Sequence, residues 1–237
     1  MRAISFKLSG RFAHFKKPDV NSHTYFTYSH IHKVALLGIF GSILGLRGYG
    51  NSKGDLPEFY EKLKEFKVSI IPQKPYFTKK IVTFNNSVGY ASKEEGGNLI
   101  VREQWLENPA REILVLENDS DEFSELKKRL FTKEFAYVPY LGKNDHFANM
   151  NEVKEVELKE ATSDIVCISL AKKDDLVFRK APRFGNSFFY EEYLPVRLKE
   201  KFLIYEYEKM ILSSWLVEGR GGEFFEYEGR EGIIYFN

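Results

Sequence analysis

The chain has 237 residues, 43% hydrophobic and 29% charged, which suits a soluble globular protein of one large domain, or of one average domain with a smaller appendage. Its single cysteine, Cys167, excludes an internal disulfide framework. The alternating start Met1-Arg2-Ala3-Ile4-Ser5-Phe6-Lys7 is no signal peptide, and the longest apolar stretch, residues 34–46, falls short of the ~20 residues a bilayer requires. A cytoplasmic protein without membrane association is expected.

The net charge of +1 hides an asymmetry. Residues 1–53 carry Arg2, Lys7, Arg11, Lys16, Lys17, Lys33, Arg47 and Lys53 against Asp19 alone, whereas residues 54–237 carry 27 basic and 33 acidic groups. His14, His23, His30 and His32 also lie in the first part. Such a cationic segment is the usual footprint of a polyanion site, chance clustering on a solvated surface being the alternative. Aromatics reach 16%, with 21 Phe and 14 Tyr; any surplus on the surface would suit stacking on bases or protein partners.

In chain order, Ile4, Phe6 and Leu8 alternate with polar residues and predict a half-buried strand, extended by residues 10–15. Residues 16–32, with Pro18, Asp19, Asn21 and Ser22, read as a long loop, uncommon in a compact domain unless functional. Residues 33–46 predict a helix whose Gly38, Gly41 and Gly45 share a face. Each glycine weakens a helix by roughly 1 kcal/mol relative to alanine, so either a ligand or tight packing approaches that face. Residues 57–64 predict a short helix, 68–71 a strand, and 74–104 a protruding hairpin turning at Gly96-Gly97-Asn98. Residues 113–116 predict a buried strand. Asn118-Asp119-Ser120 caps a helix striped by Phe123, Leu126 and Leu130, and residues 135–141 return as a strand.

The order strand, helix, strand, insertion, strand, helix, strand is the split βαβ arrangement of an α+β, ferredoxin-like (RRM-like) domain over residues 1–150. Residues 151–237 read as a smaller β-rich region, with strands at 155–158, 165–170 and within 202–217, the last run suiting a hairpin or a short helix.

Several clusters could carry chemistry. Tyr25, Tyr28, His30, His32 and Lys33 are the residue types that cleave RNA without metal, one group activating the 2′-hydroxyl and others steadying and protonating the phosphorane. The same groups also bind RNA uncut, by stacking and phosphate contact, and this use is favoured. No carboxylate or cysteine cluster completes a zinc sphere around the histidines, and no cofactor is expected. The glycine-rich exit 45–54 lacks the context of a phosphate loop, leaving Arg47 and Lys53 to face a polyanion. On the hairpin, Lys74, Lys79, Lys80 and Arg102 interleave with Tyr76, Phe77 and Phe84, a pattern that wedges between nucleotides or, alternatively, only decorates a solvated hairpin. Arg179, Lys180 and Arg183 could serve a protein or a phosphate. Glu218, Glu223, Glu226, Glu228 and Glu231 belong on a face remote from RNA or against a basic partner.

Four segments together resemble the CRISPR-associated family-five proteins, RAMP-superfamily subunits of type I Cascade complexes, most of all type I-B members. They are Gly10-Arg11-Phe12-Ala13-His14-Phe15-Lys16, the helix from Lys33-Val34-Ala35-Leu36-Leu37-Gly38 to Ile43-Leu44-Gly45-Leu46, Val101-Arg102-Glu103-Gln104, and Tyr140-Leu141-Gly142-Lys143. The resemblance spans roughly the first 150 residues. It implies a ferredoxin-like domain with a thumb hairpin that grips the repeat-derived 5′ handle of a CRISPR RNA. Implied neighbours are the Cascade backbone subunit and the large subunit, with target DNA met only indirectly. Carried onto this chain, Arg11, His14, Lys16, Lys17, Tyr28, His30, His32, Lys33, Gly38 and Arg47 would line the handle, with Lys79, Lys80 and Arg102 on the thumb. The type I-C branch is an endoribonuclease that relies on Tyr, Lys and His, with the Lys and His adjacent in sequence. This chain has only the reversed His32-Lys33, so a non-catalytic subunit is expected, with cleavage of repeat RNA as the alternative.

Overall fold

The computed structural model describes residues 1–19, 23–50, 55–87, 89, 93, 95, 97–161, 165–180, 187–200 and 203–237. Expectations placed on Asn21, Ser22, Lys53, Gly96, the side chain of Lys180, Arg183 and Phe202 lie outside them.

The chain opens with β1 (Arg2–Ser9) and β2 (Phe12–Ala13), then α1 (Lys33–Leu44) and α2 (Glu58–Leu63). After β3 (Val68–Pro72), strands β4 (Lys79–Asn85) and β5 (Ile100–Glu107) form the projecting hairpin. Next come β6 (Ala110–Leu116), α3 (Asp121–Thr132) and β7 (Asn149–Glu160). The remainder is β8 (Ile165–Val166), β9 (Ala171–Lys172), β10 (Leu176–Lys180), β11 (Phe189–Leu198), β12 (Tyr205–Ser213), β13 (Leu216–Gly219), β14 (Glu223–Tyr227) and β15 (Ile233–Phe236).

Within the six-stranded sheet β15-β14-β7-β1-β6-β3, the run β7-β1-β6-β3 is antiparallel throughout, and α1 and α3 provide the crossovers. This is the split βαβ order read from the sequence. Two helix ends show why the helices sit where they do. Ser120 Oγ accepts from Phe123 N–H and caps α3, while Gly45 adopts a left-handed conformation (φ 79°) that ends α1.

The fourth strand corrects the sequence reading. Residues 135–141 are not a strand. Ala136 and Tyr137 N–H instead donate to the carbonyls of Ile43 and Ser42 at the end of α1. Strand β7 takes the place beside β1, so the expected boundary near residue 150 falls at the start of a core strand.

Both faces of the sheet are covered. Ile4, Phe6, Leu8, Ile113 and Val115 pack toward the helices. Ala3, Ile71, Leu114 and Leu158 point the other way, against Phe225, Ile234 and Phe236 of β14 and β15. Asn237 and Val68 exchange backbone hydrogen bonds of 3.1 and 3.0 Å, so the sheet curls until its outermost strands meet. The residues from 205 to 219 form neither a single hairpin nor a helix, because β12 pairs with β11 and β9 while β13 pairs with β10 and β8.

Candidate nucleic-acid interface

The segments singled out in the sequence converge between the hairpin and α1. His14 N–H donates to Leu141 O at 3.0 Å, and Gly142 (φ 87°) passes so close that a Cβ there would lie 2.0 Å from the His14 carbonyl oxygen. Only glycine fits. His14 Nδ1 meets Gln104 O at 2.9 Å, and Lys143 reaches Glu103 at 2.7 Å, where the Trp105 indole N–H also donates. Burial would raise the Glu103 pKa, but these two hydrogen bonds hold it below the usual carboxylate range.

Residues 16–19 and 23–32 are organised as a clip. Lys17 and Tyr28 N–H bond to Phe26 and Phe15 O, and Tyr25 pairs along the inner hairpin strand through Arg102 O and Gln104 N–H. Backbone pairing thereby turns Lys16 outward, its Nζ 3.8 Å over the Tyr25 ring, beside exposed Arg102. Among the described residues neither Lys16 nor Arg102 has an ion-pair partner. Arg11 is exposed over the Phe12 ring, and Lys80 is exposed 3.9 Å from Glu107.

Along α1 runs a groove of about 600 Å³. Ala35, Gly38 and Ser42 form part of its floor, Tyr137, Val138 and Tyr140 one wall, and Arg47, Tyr49 and Tyr205 also line it. Tyr49, Tyr137 and Tyr140 are 57, 63 and 45% exposed, a set of open π-faces at a small-residue floor. The three helix glycines have distinct causes. Gly38 opens to the groove, with the nearest atom of Phe59 3.8 Å from a hypothetical Cβ; Gly41 lets α2 pack against α1, because a Cβ would meet Phe59 Cβ at 2.4 Å; Gly45 supplies the cap. Tight packing, one of the two alternatives read from the sequence, therefore holds at Gly41, while Gly38 leaves the helix face open.

Four expected surface residues are interior. Tyr28 is buried, its hydroxyl 3.4 Å from Tyr207. His32 Nδ1 accepts from Ala35 N–H and caps α1, and its ring packs edge-on to Tyr28 and Tyr205. His30 is fully buried between Phe77 and Tyr190, and His14 is held against the hairpin. Burial lowers the pKa of His30 and of His32 to about 3, and lowers that of His14. Packing from distant segments, not residue polarity, decides which side chains of the clip are enclosed. Phe77 and Cys167 are buried as well.

The remaining cations are divided. Lys33 is half-buried, and burial, then Arg197, lowers its pKa to about 8. Lys17 pairs with Glu192 at 2.6 Å, and Lys79 interacts electrostatically with both. Arg47 donates to Glu58 at 3.0 Å while remaining 89% exposed. The groove's edge thus carries Arg47 itself, but only the sequence neighbours of Lys16 and Lys33, namely Phe15 and Val34.

Sequence reasoning missed Tyr49, Tyr137, Tyr140, Lys143, Tyr190, Glu192, Tyr205 and Arg111. Tyr140 and Lys143 lie in a recognised segment, whereas Tyr190, Glu192 and Tyr205 arrive on β11 and β12 and carried no local signal. Among the described residues, no cluster of three or more His, Cys, Asp or Glu could hold a metal, and no helix is long and apolar enough to cross a membrane.

No protein-family model and no curated protein matches the chain. Solved structures do. A chain of a CRISPR RNA-guided surveillance complex superposes with TM-score 0.55 at 12% identity, covering 91% of each chain. A CRISPR protein from Archaeoglobus fulgidus gives TM-score 0.54 at 13% identity, over 99% of this chain and 98% of that one. A chain of a type III-B Cmr-beta complex bound to cognate target RNA and AMPPnP gives 0.51 at 9% identity, over 92% and 86%. The fold of this chain is therefore that of CRISPR-associated proteins, mixed α/β and dominated by antiparallel sheet.

Proposed function

We propose that the protein is a non-catalytic RNA-gripping subunit of a type I CRISPR surveillance complex. In this reading it holds the 5′ handle of the CRISPR RNA and contacts the backbone and large subunits in the cytoplasm. The observation that carries the reading is the clip: Lys16 and, on β5, Arg102 lie exposed and, among the described residues, without ion-pair partners, and Phe15 next to Lys16 lines a groove faced by three open tyrosines. Exposed cations on the clip and open aromatic faces in the adjoining groove are what single-stranded RNA requires, the phosphates fixing position and the unstacked bases finding platforms. Fold likeness to subunits of RNA-guided complexes supports the same reading. Exposed Ile81, Leu99 and Ile100 on the hairpin give it an apolar surface suited to a protein neighbour.

Binding is favoured over cleavage by the state of the histidines. A general base or acid needs a pKa near the working pH and reach to the substrate. His30 and His32 lack the first, and His32, which caps α1, lacks the second as well.

Co-expression with the neighbouring subunits and sequencing of the co-purified RNA tests the proposal. Repeat-derived 5′ ends should be enriched and should crosslink to residues 11–49 or 102–140. Incubation of repeat RNA with the purified chain in EDTA should leave it intact. Cleavage that disappears in His30→Ala would establish the nuclease instead.

A further inference from the structure

Strand β6 places Arg111 on the helix-facing side of the sheet, wholly buried. Its guanidinium lies between two rings, 5.6 Å from Phe15 and 5.5 Å from Phe77. Among the described residues none of Nε, Nη1 or Nη2 has a hydrogen-bond partner. The neighbouring carboxylate, Glu112, bonds Ser5, Tyr227 and Arg230. His30 packs edge-on to the same Phe77 ring, 5.7 Å between centroids, also fully buried and, among the described residues, with both ring nitrogens unpartnered. Lys79 acts electrostatically on His30. Glu192, the carboxylate near Lys79, is already taken by Lys17, by Ser29 N–H and by the Tyr190 hydroxyl.

A buried guanidinium without a counter-charge costs several kcal/mol, and it carries five donors and no acceptor. Orphaned polar groups of this size persist in native proteins when they serve a ligand. What the pair lacks is an acceptor, and the nearby charges (Arg111, Lys79 and Lys17 against Glu192) call for an anion. The forked guanidinium matches phosphate oxygens in bidentate fashion. The location favours phosphate over a partner's carboxylate: Phe15 lines the α1 groove, and Phe77 stands on the irregular segment between β3 and β4 beside exposed Lys74 and Tyr76.

We propose that Arg111 and His30 form a phosphate receptor roofed by the Phe77 ring, which admits a backbone phosphate of the bound RNA when that ring swings outward. The RNA as source rests on the function proposed above; the receptor itself is testable without it.

The test is thermal unfolding of the full chain in inorganic phosphate against chloride at matched ionic strength, beside RNA titrations, for wild type and Arg111→Met. Met keeps much of the volume and removes the uncompensated charge, so the variant should melt no lower than wild type in chloride. Wild type should gain stability specifically in phosphate, and Arg111→Met should not. The variant should also lose RNA affinity about tenfold, with a log–log salt slope shallower by ~0.7, the share of one phosphate on a single strand. The Arg111 Nε–H NMR resonance of wild type, shifting as phosphate is added, gives the same answer if the variant does not fold.

No phosphate-specific response in wild type, as a partner's carboxylate would give, overturns the receptor. So does a response that Arg111→Met retains, which would mark an adventitious ion only. An Arg111-dependent phosphate response in a chain that binds no RNA would keep the receptor, with free phosphate as its ligand, and sink the proposed function. Undiminished RNA binding by Arg111→Met would leave the proposed function standing and overturn the RNA assignment of the site.

Discussion

Residues 11–33 hold two sets of polar side chains with opposite fates. Lys16 and Tyr25 face solvent beside the hairpin, whereas His14, Tyr28, His30 and His32 are enclosed by α1, β5 and the β11–β12 hairpin. All carry groups that bind RNA, so residue type does not separate them. Tertiary packing does: the inner rings meet Phe77, Tyr190, Tyr205 and the hairpin backbone, whereas Lys16 lies at the surface over Tyr25. The outer set has an exposed charge and, among the described residues, no ion-pair partner; the inner set has neutral rings, one of which caps a helix.

The largest expected effect concerns the inner set under acid. The pKa of His30 and of His32 is about 3 when folded and near 6.5 when unfolded, so below pH 6.5 the unfolded chain binds more protons. Their stabilisation is complete above pH 6.5 and is lost as the pH falls toward 3, on the order of 5 kcal/mol for the two by pH 4.5. Chemical denaturation at pH 7.5 and pH 5 measures it. Flat stability across that window would place these histidines at the surface. Next in size, His32→Ala should cost about 2–4 kcal/mol through the lost cap and the void between Tyr28 and Tyr205. RNA affinity per folded molecule should stay unchanged.

The glycines of α1 sharpen the same contrast between interior and open face. Gly41→Ala should destabilise by about 1–3 kcal/mol, because its Cβ would press on Phe59 of α2. Gly38→Ala should be neutral or stabilising by up to ~1 kcal/mol, having only ordinary contact with that ring. If both variants melt alike, the helix does not have two distinct glycine environments.

What the sequence disclosed follows from where its signals are local. Strand β1, helices α1 and α3, β3 and the hairpin were legible from period, caps and turn residues, and their order sufficed for the split βαβ core. Strand β7 was not. It reads Asn149-Met150-Asn151-Glu152-Val153-Lys154 and continues as charged, with only Met150 and Leu158 buried, so its apolar signal is too weak to outrank residues 135–141. Strands β14 and β15 were hidden by the glutamates around them, although Phe225, Ile234 and Phe236 close the second core. The site was legible as chemistry but not as exposure. His30 is buried by Phe77 and Tyr190, and Arg111 by Phe15 and Phe77, contacts made by segments distant in the chain.

The proposed function stands on the outer set meeting the phosphates of the RNA. Its direct measurement is the salt dependence of handle-RNA binding by wild type, Lys16→Ala and Arg102→Ala. Each substitution should change stability by less than about 0.5 kcal/mol and reduce the log–log slope by ~0.7. Slopes equal to wild type in both variants would contradict the placement of RNA on this face.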